Sequence, residues 1–216
     1  MQHTKIPNRR NIRDFGRFGK ALSSQVRLVL DNFSPAQHQV LSLLNQYIED
    51  EPENRHSIAL LIAFAEQHEN CCERTLLLGH FTGSCWLVSK DGQRVLLTHH
   101  KKLGRWLQLG GHADGDSDLA KVALREAEEE SGLSDLSVEP DIFDLERHAI
   151  PARGSEPEHY HHDVRFVVRA NASEDYVVSD ESHALAWRVI SELVADVKAE
   201  ESIRRMARKW LNRTSL

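Results

Sequence analysis

A pair of glycines followed by a short acidic helix most constrains how this chain can fold. Gly110 and Gly111 end an apolar segment, and residues 119–133 have the spacing of an amphipathic helix. At about 100° per residue, the small and apolar residues share one face: Leu119, Ala120, Ala123, Leu124 and Ala127. Gly132 is a helix-terminating glycine. We therefore expect a glycine turn at 110–111 and a helix from about Asp118 to Ser131 whose apolar face is buried.

Three glutamates of this helix border the apolar face. Glu126, Glu129 and Glu130 are related by i, i+3 and i+4, so their carboxylates share a side of the helix, whereas Glu128 points into solvent. Clustered carboxylates cost energy unless cations neutralise them, and Arg125 carries only one charge. Oxygen ligands on a rigid helix suit Mg²⁺ or Mn²⁺, and a helix N-terminus behind a glycine segment favours an anion. The pattern predicts metal-assisted phosphate chemistry; a merely solvated acidic surface is the alternative.

The same stretch resembles the signature of the Nudix hydrolases. That signature is Gly, five residues, Glu, seven residues, then Arg-Glu-apolar-any-Glu-Glu-any-Gly-apolar. The matching residues, all at the right spacing, are Gly111, Arg125, Glu126, Ala127, Glu129, Glu130, Gly132 and Leu133. The resemblance in strand and helix order extends over residues 75–216 and leaves the N-terminal part outside.

The resemblance implies an α/β fold, an α/β/α sandwich with a mixed sheet. It also implies a pyrophosphohydrolase that uses Mg²⁺ or Mn²⁺ to cleave a diphosphate (P–O–P) linkage in a nucleoside diphosphate derivative or a similar organic pyrophosphate. Glu126, Glu129 and Glu130 would be metal ligands, as would the carbonyl of Gly111. Arg125 would orient a glutamate. Glu181, in the loop before the last predicted strand, matches a further metal ligand or catalytic base.

The sequence departs from the signature at one position. Ser117 stands where the first signature Glu is expected, between Asp116 and Asp118. Either aspartate supplies the missing carboxylate, or both only cap the helix. The departure keeps open a second function, a catalytically weak or inactive Nudix-fold domain that senses a ligand or binds a partner. A diphosphate isomerase ranks lowest, because no cysteine lies near the acidic helix in sequence.

Polar residues elsewhere are candidates for substrate binding. In the strand predicted over 160–170, His161, Asp163 and Arg165 share the face opposite Val164 and Phe166. With His112 they would form a substrate or second metal site, the alternative being an ordinary polar sheet face. Lys101 and Arg105, in a basic loop before the glycines, are candidates to meet phosphates, although a solvated loop is the ordinary interpretation of such residues.

The N-terminal part reads as a helical unit. Helices are predicted over 21–33, from Pro35 to about Glu51, and from about Arg55 to His68. We divide the chain into a helical extension, 1–72, that packs on the main domain, and a Nudix-like hydrolase domain, 73–216. Residues 1–30 carry seven Lys or Arg against one acid, but no aromatic ladder accompanies them, so we expect a solvated terminus and no nucleic-acid partner. The helical unit is a candidate for the interface of a homodimer.

Composition sets the remaining limits. A chain of 216 residues is long enough for one core and a small accessory unit. It has no apolar run long enough to span a bilayer and no hydrophobic N-terminal signal segment. Cys71, Cys72 and Cys85 form no disulfide framework, and with His68 and His80 they lack zinc-site spacing. We expect a reduced, cytoplasmic protein with a small-molecule diphosphate substrate and no membrane partner.

Overall fold

A computed structural model of the protein describes residues 33–51, 54–154, 156–180 and 182–214. The described residues from Ser34 onward belong to one compact unit. The helix predicted over 21–33 and the basic segment 1–30 lie outside the described residues, except for Phe33. None of the described helices is long and apolar enough to cross a membrane.

The first half of the chain contains the helices and strands α1 (Pro35–Asp50), α2 (Arg55–Gln67), β1 (Gly79–Val88), β2 (Arg94–His100), β3 (Arg105–Leu107) and β4 (Leu109–His112). The second half contains α3 (Leu119–Ser131), β5 (Leu136–Ile150), β6 (His159–Ala170), β7 (Ser182–Val189), α4 (Ile190–Leu193) and α5 (Glu201–Thr214).

The described strands form one seven-stranded mixed sheet. Its main order is β3-β2-β1-β6-β5, while β4 pairs with β1 and β7 pairs with β2. The pairing of β1 with β6 is parallel, with His80 opposite His161, and the other strand pairs are antiparallel. Helices cover both faces of this sheet, so the predicted α/β/α sandwich with a mixed sheet is confirmed.

Helix α3 lies directly on strand β1 because Gly83 has no side chain. A β-carbon at Gly83 would come within 2.9 Å of the Leu119 carbonyl oxygen and 2.8 Å of the Val122 side chain. Of the predicted buried face, Leu119, Ala123 and Ala127 are fully buried, whereas Ala120 and Leu124 are only partly buried. Val122 is buried as well, since the close approach over Gly83 brings it to the sheet. Gly132 ends the helix in the left-handed region, with φ of 67°.

The opposite face of the sheet packs against α4 and α5. Trp86, Val88 and Phe143 meet Met206 and Trp210 of α5 in a continuous apolar core. The indole Nε1 of Trp210 donates a hydrogen bond of 2.8 Å to the carbonyl of Gly92, in the turn between β1 and β2. This bond fixes α5 to the hairpin, because a buried indole N–H needs an acceptor.

Helices α1 and α2 pack on the same compact unit as the sheet. Ser34 caps α1 in a capping box with Gln37, and the Gln37 amide donates to the carbonyl of Ala65 in α2 at 2.8 Å. Phe64 of α2 packs on the His162 ring, with centroids 4.1 Å apart. The division at residue 72 into an extension and a hydrolase domain stays a prediction. All three cysteines are buried free thiols.

The glycine turn predicted at 110–111 is wrong. Gly110 and Gly111 lie in β4, paired with Ser84 and Gly83 of β1. Glycine is needed there for close approach, because a β-carbon on Gly110 would lie 2.6 Å from the Ser84 Cα. The turn into α3 lies further along the chain, where Gly115 has a positive φ of 87°.

Candidate active site

The carboxylate of Glu126 lies against the backbone of β4. An ideal β-carbon on Gly111 would be 2.5 Å from Glu126 Oε2, so the absence of a side chain at position 111 leaves room for this carboxylate. The Glu126 side chain is only 15% exposed, because it borders the buried stripe of α3. The glycine of the signature and its first helical glutamate therefore form one local structure.

Arg125 also holds the Glu126 carboxylate in place, by linking it to β4. Its NH2 group donates to the carbonyl of His112 at 2.9 Å and to Glu126 Oε1 at 2.9 Å. Its Nε lies 3.9 Å from Glu129 Oε1. The hydrogen bond to Glu126 raises the pKa of the Arg125 guanidinium above its ordinary value. This geometry supports the predicted role of Arg125, which is to orient a glutamate.

The other two glutamates differ in how they are held. The backbone N–H of Gly110 donates to Glu130 Oε1 at 2.9 Å, which ties that carboxylate to β4. The Glu129 side chain is 65% exposed and reaches solvent on the same side of the helix. Glu128 is exposed. Glu126 and Glu130 thus both lie against β4, whereas Glu129 is exposed beside Arg125, so the sharing of one metal ion by all three carboxylates stays a prediction.

This donor set fits a hard divalent cation. Mg²⁺ and Mn²⁺ prefer oxygen ligands, and Glu126, Glu129 and Glu130 offer carboxylate oxygens on one rigid helix. The space beside Gly111, which a β-carbon would fill, keeps Glu126 close to the strand. These residues, with the Gly111 carbonyl as a further candidate, are suited to hold such an ion.

The segment between β4 and α3 carries the departure from the signature. Asp118 is the N-cap of α3, and its side chain accepts from the Lys121 N–H at 3.1 Å. Asp116 accepts from the Asp118 N–H at 3.0 Å. Ser117 donates to Gln39 Oε1 of α1 at 2.9 Å. The geometry favours the capping interpretation of both aspartates.

Asp163 and Arg165 lie in a buried network of charges. Asp163 accepts from Ser84 Oγ at 2.6 Å and from Arg165 Nε at 2.7 Å. Burial opposes its ionisation, but Arg165 and Ser84 hold the pKa of Asp163 below its ordinary value. Arg165, whose side chain is 3% exposed, also pairs with Asp144 at 2.9 Å and Glu146 at 2.8 Å. Since both side chains have protein partners, their contact with substrate stays a prediction.

His112 and His161 come together with a third histidine. Their ring centroids are 5.1 Å apart, and the ring of His80 lies 5.1 Å from His112 and 4.8 Å from His161. Burial lowers the pKa of His80 to about 4 and that of His161 to about 3. Our interpretation of the sequence missed His80 as a partner of these residues. The pairing of β1 with β6 places it beside His161 and the pairing of β1 with β4 places it near His112, and no local pattern indicates either pairing.

The two predicted basic residues are both exposed and near acceptors. Lys101 Nζ donates to the carbonyl of Asp180 at 2.5 Å, and Arg105 pairs with Glu200 at 3.3 Å. Lys101 therefore contacts the segment just before Glu181. Glu181 itself lies outside the described residues, so its assignment as ligand or base stays a prediction, as do the phosphate contacts of Lys101 and Arg105.

Two acidic residues of α3, Glu126 and Glu130, thus face the glycine-containing strand β4 on a mixed sheet covered by helices. The profile described as NUDIX domain matches residues 80–210. The chain belongs to the Nudix family, whose members are pyrophosphohydrolases that act on phosphoric anhydrides. A search among curated proteins finds no match.

Several solved structures are similar to this chain. Dihydroneopterin triphosphate pyrophosphohydrolase from E. coli is 16% identical, with a TM-score of 0.51, and the match covers 62% of this chain and 95% of that one. The Ap4A hydrolase of C. elegans is 19% identical, with a TM-score of 0.49 and coverage of 62% and 97%. A Nudix hydrolase from Clostridium perfringens is 26% identical, with a TM-score of 0.46 and the same coverage. The likeness to the E. coli enzyme supports the fold.

Proposed function

We propose that the protein hydrolyses the P–O–P linkage of a nucleoside diphosphate derivative or a similar organic pyrophosphate, with Mg²⁺ or Mn²⁺ as cofactor. One observation carries the proposal. Glu126 and Glu130 of α3 lie against the glycine strand β4, held by Arg125 and the Gly110 N–H, and Glu129 projects from the same helix beside Arg125.

The divalent ion, when bound, would lower the pKa of water and neutralise charge on the phosphoryl oxygens. The protein would position the carboxylates and provide a proton acceptor. Arg125 and Gly110 restrain two carboxylates, which limits the motion of the site. Glu129 is the most solvent-exposed of the three, so it is our first candidate to accept the proton of the attacking water. Glu181 is the second candidate. The water oxygen bonds to one phosphorus as the bridging P–O bond breaks.

We assign the binding of the non-reacting parts of the substrate to residues near β4. Lys101 and Arg105, in the segment that precedes β4, carry exposed positive charges, which suit phosphate oxygens. His112 follows Gly111 directly, so its side chain is our candidate for a contact beside the carboxylates. Asp163 and Arg165 would contribute to substrate binding through Gln108, whose amide donates to Asp163 at 3.1 Å.

The test is phosphate release from a panel of diphosphate compounds with Mg²⁺ or Mn²⁺. Glu129→Gln and Glu130→Gln should each lower the rate by about 100-fold or more, because each removes charge stabilisation worth several kcal/mol. Glu128→Gln is the matched control, since Glu128 is exposed on the same helix outside the carboxylate cluster; it should retain the wild-type rate.

Two outcomes would count against the proposal. Equal rates for wild type, Glu129→Gln and Glu130→Gln would remove the assigned mechanism. No release from any compound, combined with tight nucleotide binding, would favour the second candidate function, a Nudix-fold ligand sensor. Ser117 in place of the first signature Glu is the observation that motivates this second candidate.

A further inference from the structure

Three histidines from three neighbouring strands converge beside the carboxylate site. His80 lies in β1, His112 in β4 and His161 in β6. Each offers one ring nitrogen, and these three atoms all lie within 4.8 Å of one another. Strand pairing brings them together, because His80 is opposite His161 and His112 is opposite Thr82, two residues from His80.

The most buried member of the cluster lacks a hydrogen bond of standard geometry. His80 is only 2% exposed, and within the described part of the chain neither of its ring nitrogens makes such a bond, although a weaker interaction with the backbone of Leu76 is present. A buried polar group without a well-formed hydrogen bond is destabilising. Such a group calls for an explanation, and a bound ion is one of the standard ones.

We propose that His80, His112 and His161 form a binding site for a divalent transition-metal ion of the Zn²⁺ class. Neutral imidazole nitrogen is a preferred ligand of Zn²⁺, whereas Mg²⁺ takes oxygen. With Zn–N distances of about 2.0–2.1 Å, tetrahedral ligand nitrogens stand about 3.4 Å apart. The observed nitrogens, which all lie within 4.8 Å of one another, would need to approach by at most about 1.4 Å. Three protein ligands leave the fourth position open.

A fourth histidine positions one of these ligands. His159 Nδ1 lies 2.9 Å from the carbonyl of Pro157. Because a carbonyl only accepts, Nδ1 carries the hydrogen and neutral His159 has its lone pair on Nε2. That Nε2 lies 3.3 Å from Nε2 of His161, so in this tautomer His161 donates from Nε2 and its lone pair is on Nδ1. Histidine ligands are commonly fixed in this way by a hydrogen bond from their second nitrogen.

The proposed site is chemically distinct from the carboxylate site. One offers nitrogen and the other oxygen, so the two select different ions. The inference does not depend on the proposed hydrolase activity, and a protein without turnover would still bind the metal through these residues.

The test is calorimetric titration of the full chain with Zn²⁺, in the presence of excess Mg²⁺ to occupy the carboxylates. We expect one Zn²⁺ per chain. His112→Ala and His161→Ala should each weaken the affinity by about 100-fold or more, and His159→Phe by about 10-fold, as for residues that orient a ligand. His183→Ala is the matched control, since His183 is exposed and outside the cluster, and it should bind as wild type does.

Thermal unfolding provides a second readout. Zn²⁺ should raise the midpoint of wild type and of Glu130→Gln, but not that of His161→Ala. Circular dichroism checks that each variant is folded. His80→Ala removes a buried side chain; if that variant does not fold, the result for His161→Ala, whose side chain is only half-buried, decides the test. Zn²⁺ binding that is absent from the wild type, or that survives unchanged in His112→Ala and His161→Ala, would overturn the proposal.

Discussion

The carboxylate of Glu126 lies where a side chain at position 111 would be, 2.5 Å from an ideal β-carbon on Gly111. We expect Gly111→Ala to displace this carboxylate and lower kcat/KM by about 100-fold, with a stability change below about 1 kcal/mol, because the clash is with the end of a flexible side chain. Steady-state kinetics and urea unfolding measure the two effects. In a Glu126→Ala background, Gly111→Ala should lower the rate no further. Additive losses would show that the two residues act separately.

Arg125 offers a second test of how the site is organised. Arg125→Ala should lower kcat/KM by about 10- to 100-fold, as when a residue that orients a metal ligand is removed. Arg125→Lys should recover only part of the loss, because an ammonium cannot reproduce the planar guanidinium contacts. Arg74→Ala is the control, since Arg74 is an exposed arginine paired with Asp114. Kinetics that do not distinguish Arg125→Ala from Arg74→Ala would contradict the assignment.

Asp118 separates the two interpretations of the altered signature. As the N-cap of α3, Asp118 should contribute about 1 kcal/mol to the free energy of unfolding. Asp118→Ala should therefore lower stability by that amount in chemical unfolding and leave kcat almost unchanged. A rate loss of orders of magnitude, restored by Ser117→Glu in the same chain, would mean instead that Asp118 supplies the missing carboxylate.

Arg165 should matter far more for stability than its surface neighbour. Its removal in Arg165→Met leaves Asp163 buried without its main cation, and breaking such a pair costs about 3–5 kcal/mol. Arg169→Met is the matched control on the same strand, because Arg169 is 41% exposed and pairs with Glu139 near the surface; it should cost less than about 1 kcal/mol. Urea unfolding at neutral pH compares them, and similar losses would contradict the assigned network.

His162 should make the protein sensitive to acid. Burial, with Arg147 nearby, lowers the pKa of His162 to about 3, whereas the unfolded value is about 6.5. Between these values the unfolded state binds the extra proton, so stability falls as the pH drops below about 6.5. From pH 6.5 to 5 the loss through this residue is about 2 kcal/mol.

The matched variant is His162→Phe, which keeps an aromatic ring on Phe64 and Phe81. With a chelator present, urea unfolding at several pH values should show a smaller acid loss in this variant than in wild type. Identical pH profiles would rule out His162 as a source of the acid sensitivity.

The sequence predicted local structure well. Helix α3 and its three carboxylates follow from a 3.6-residue period within one segment, and Gly132 ends the helix where expected. The pattern did not predict that Gly110 and Gly111 lie in a strand, because this depends on close approach to Ser84 and Gly83, which lie 26 and 28 residues earlier in the chain.

The sequence pattern did not predict which residues distant in sequence lie side by side. His80 meets His161 only through the parallel pairing of β1 with β6, and Arg165 meets Asp144 across the β5–β6 pair. Periodicity identifies which face of a strand a residue occupies, but not which strand lies beside it. The polar row on β6 was therefore visible, whereas its partners were not.

His112 contributes to its surroundings through two different atoms. Its main-chain carbonyl accepts from Arg125, and its ring belongs to the histidine cluster. A carbonyl is the same in every amino acid, so a substitution at position 112 changes the cluster while preserving the acceptor for Arg125. Replacing the imidazole therefore tests the proposed nitrogen site while the main-chain acceptor that holds Arg125, and through it Glu126, is retained.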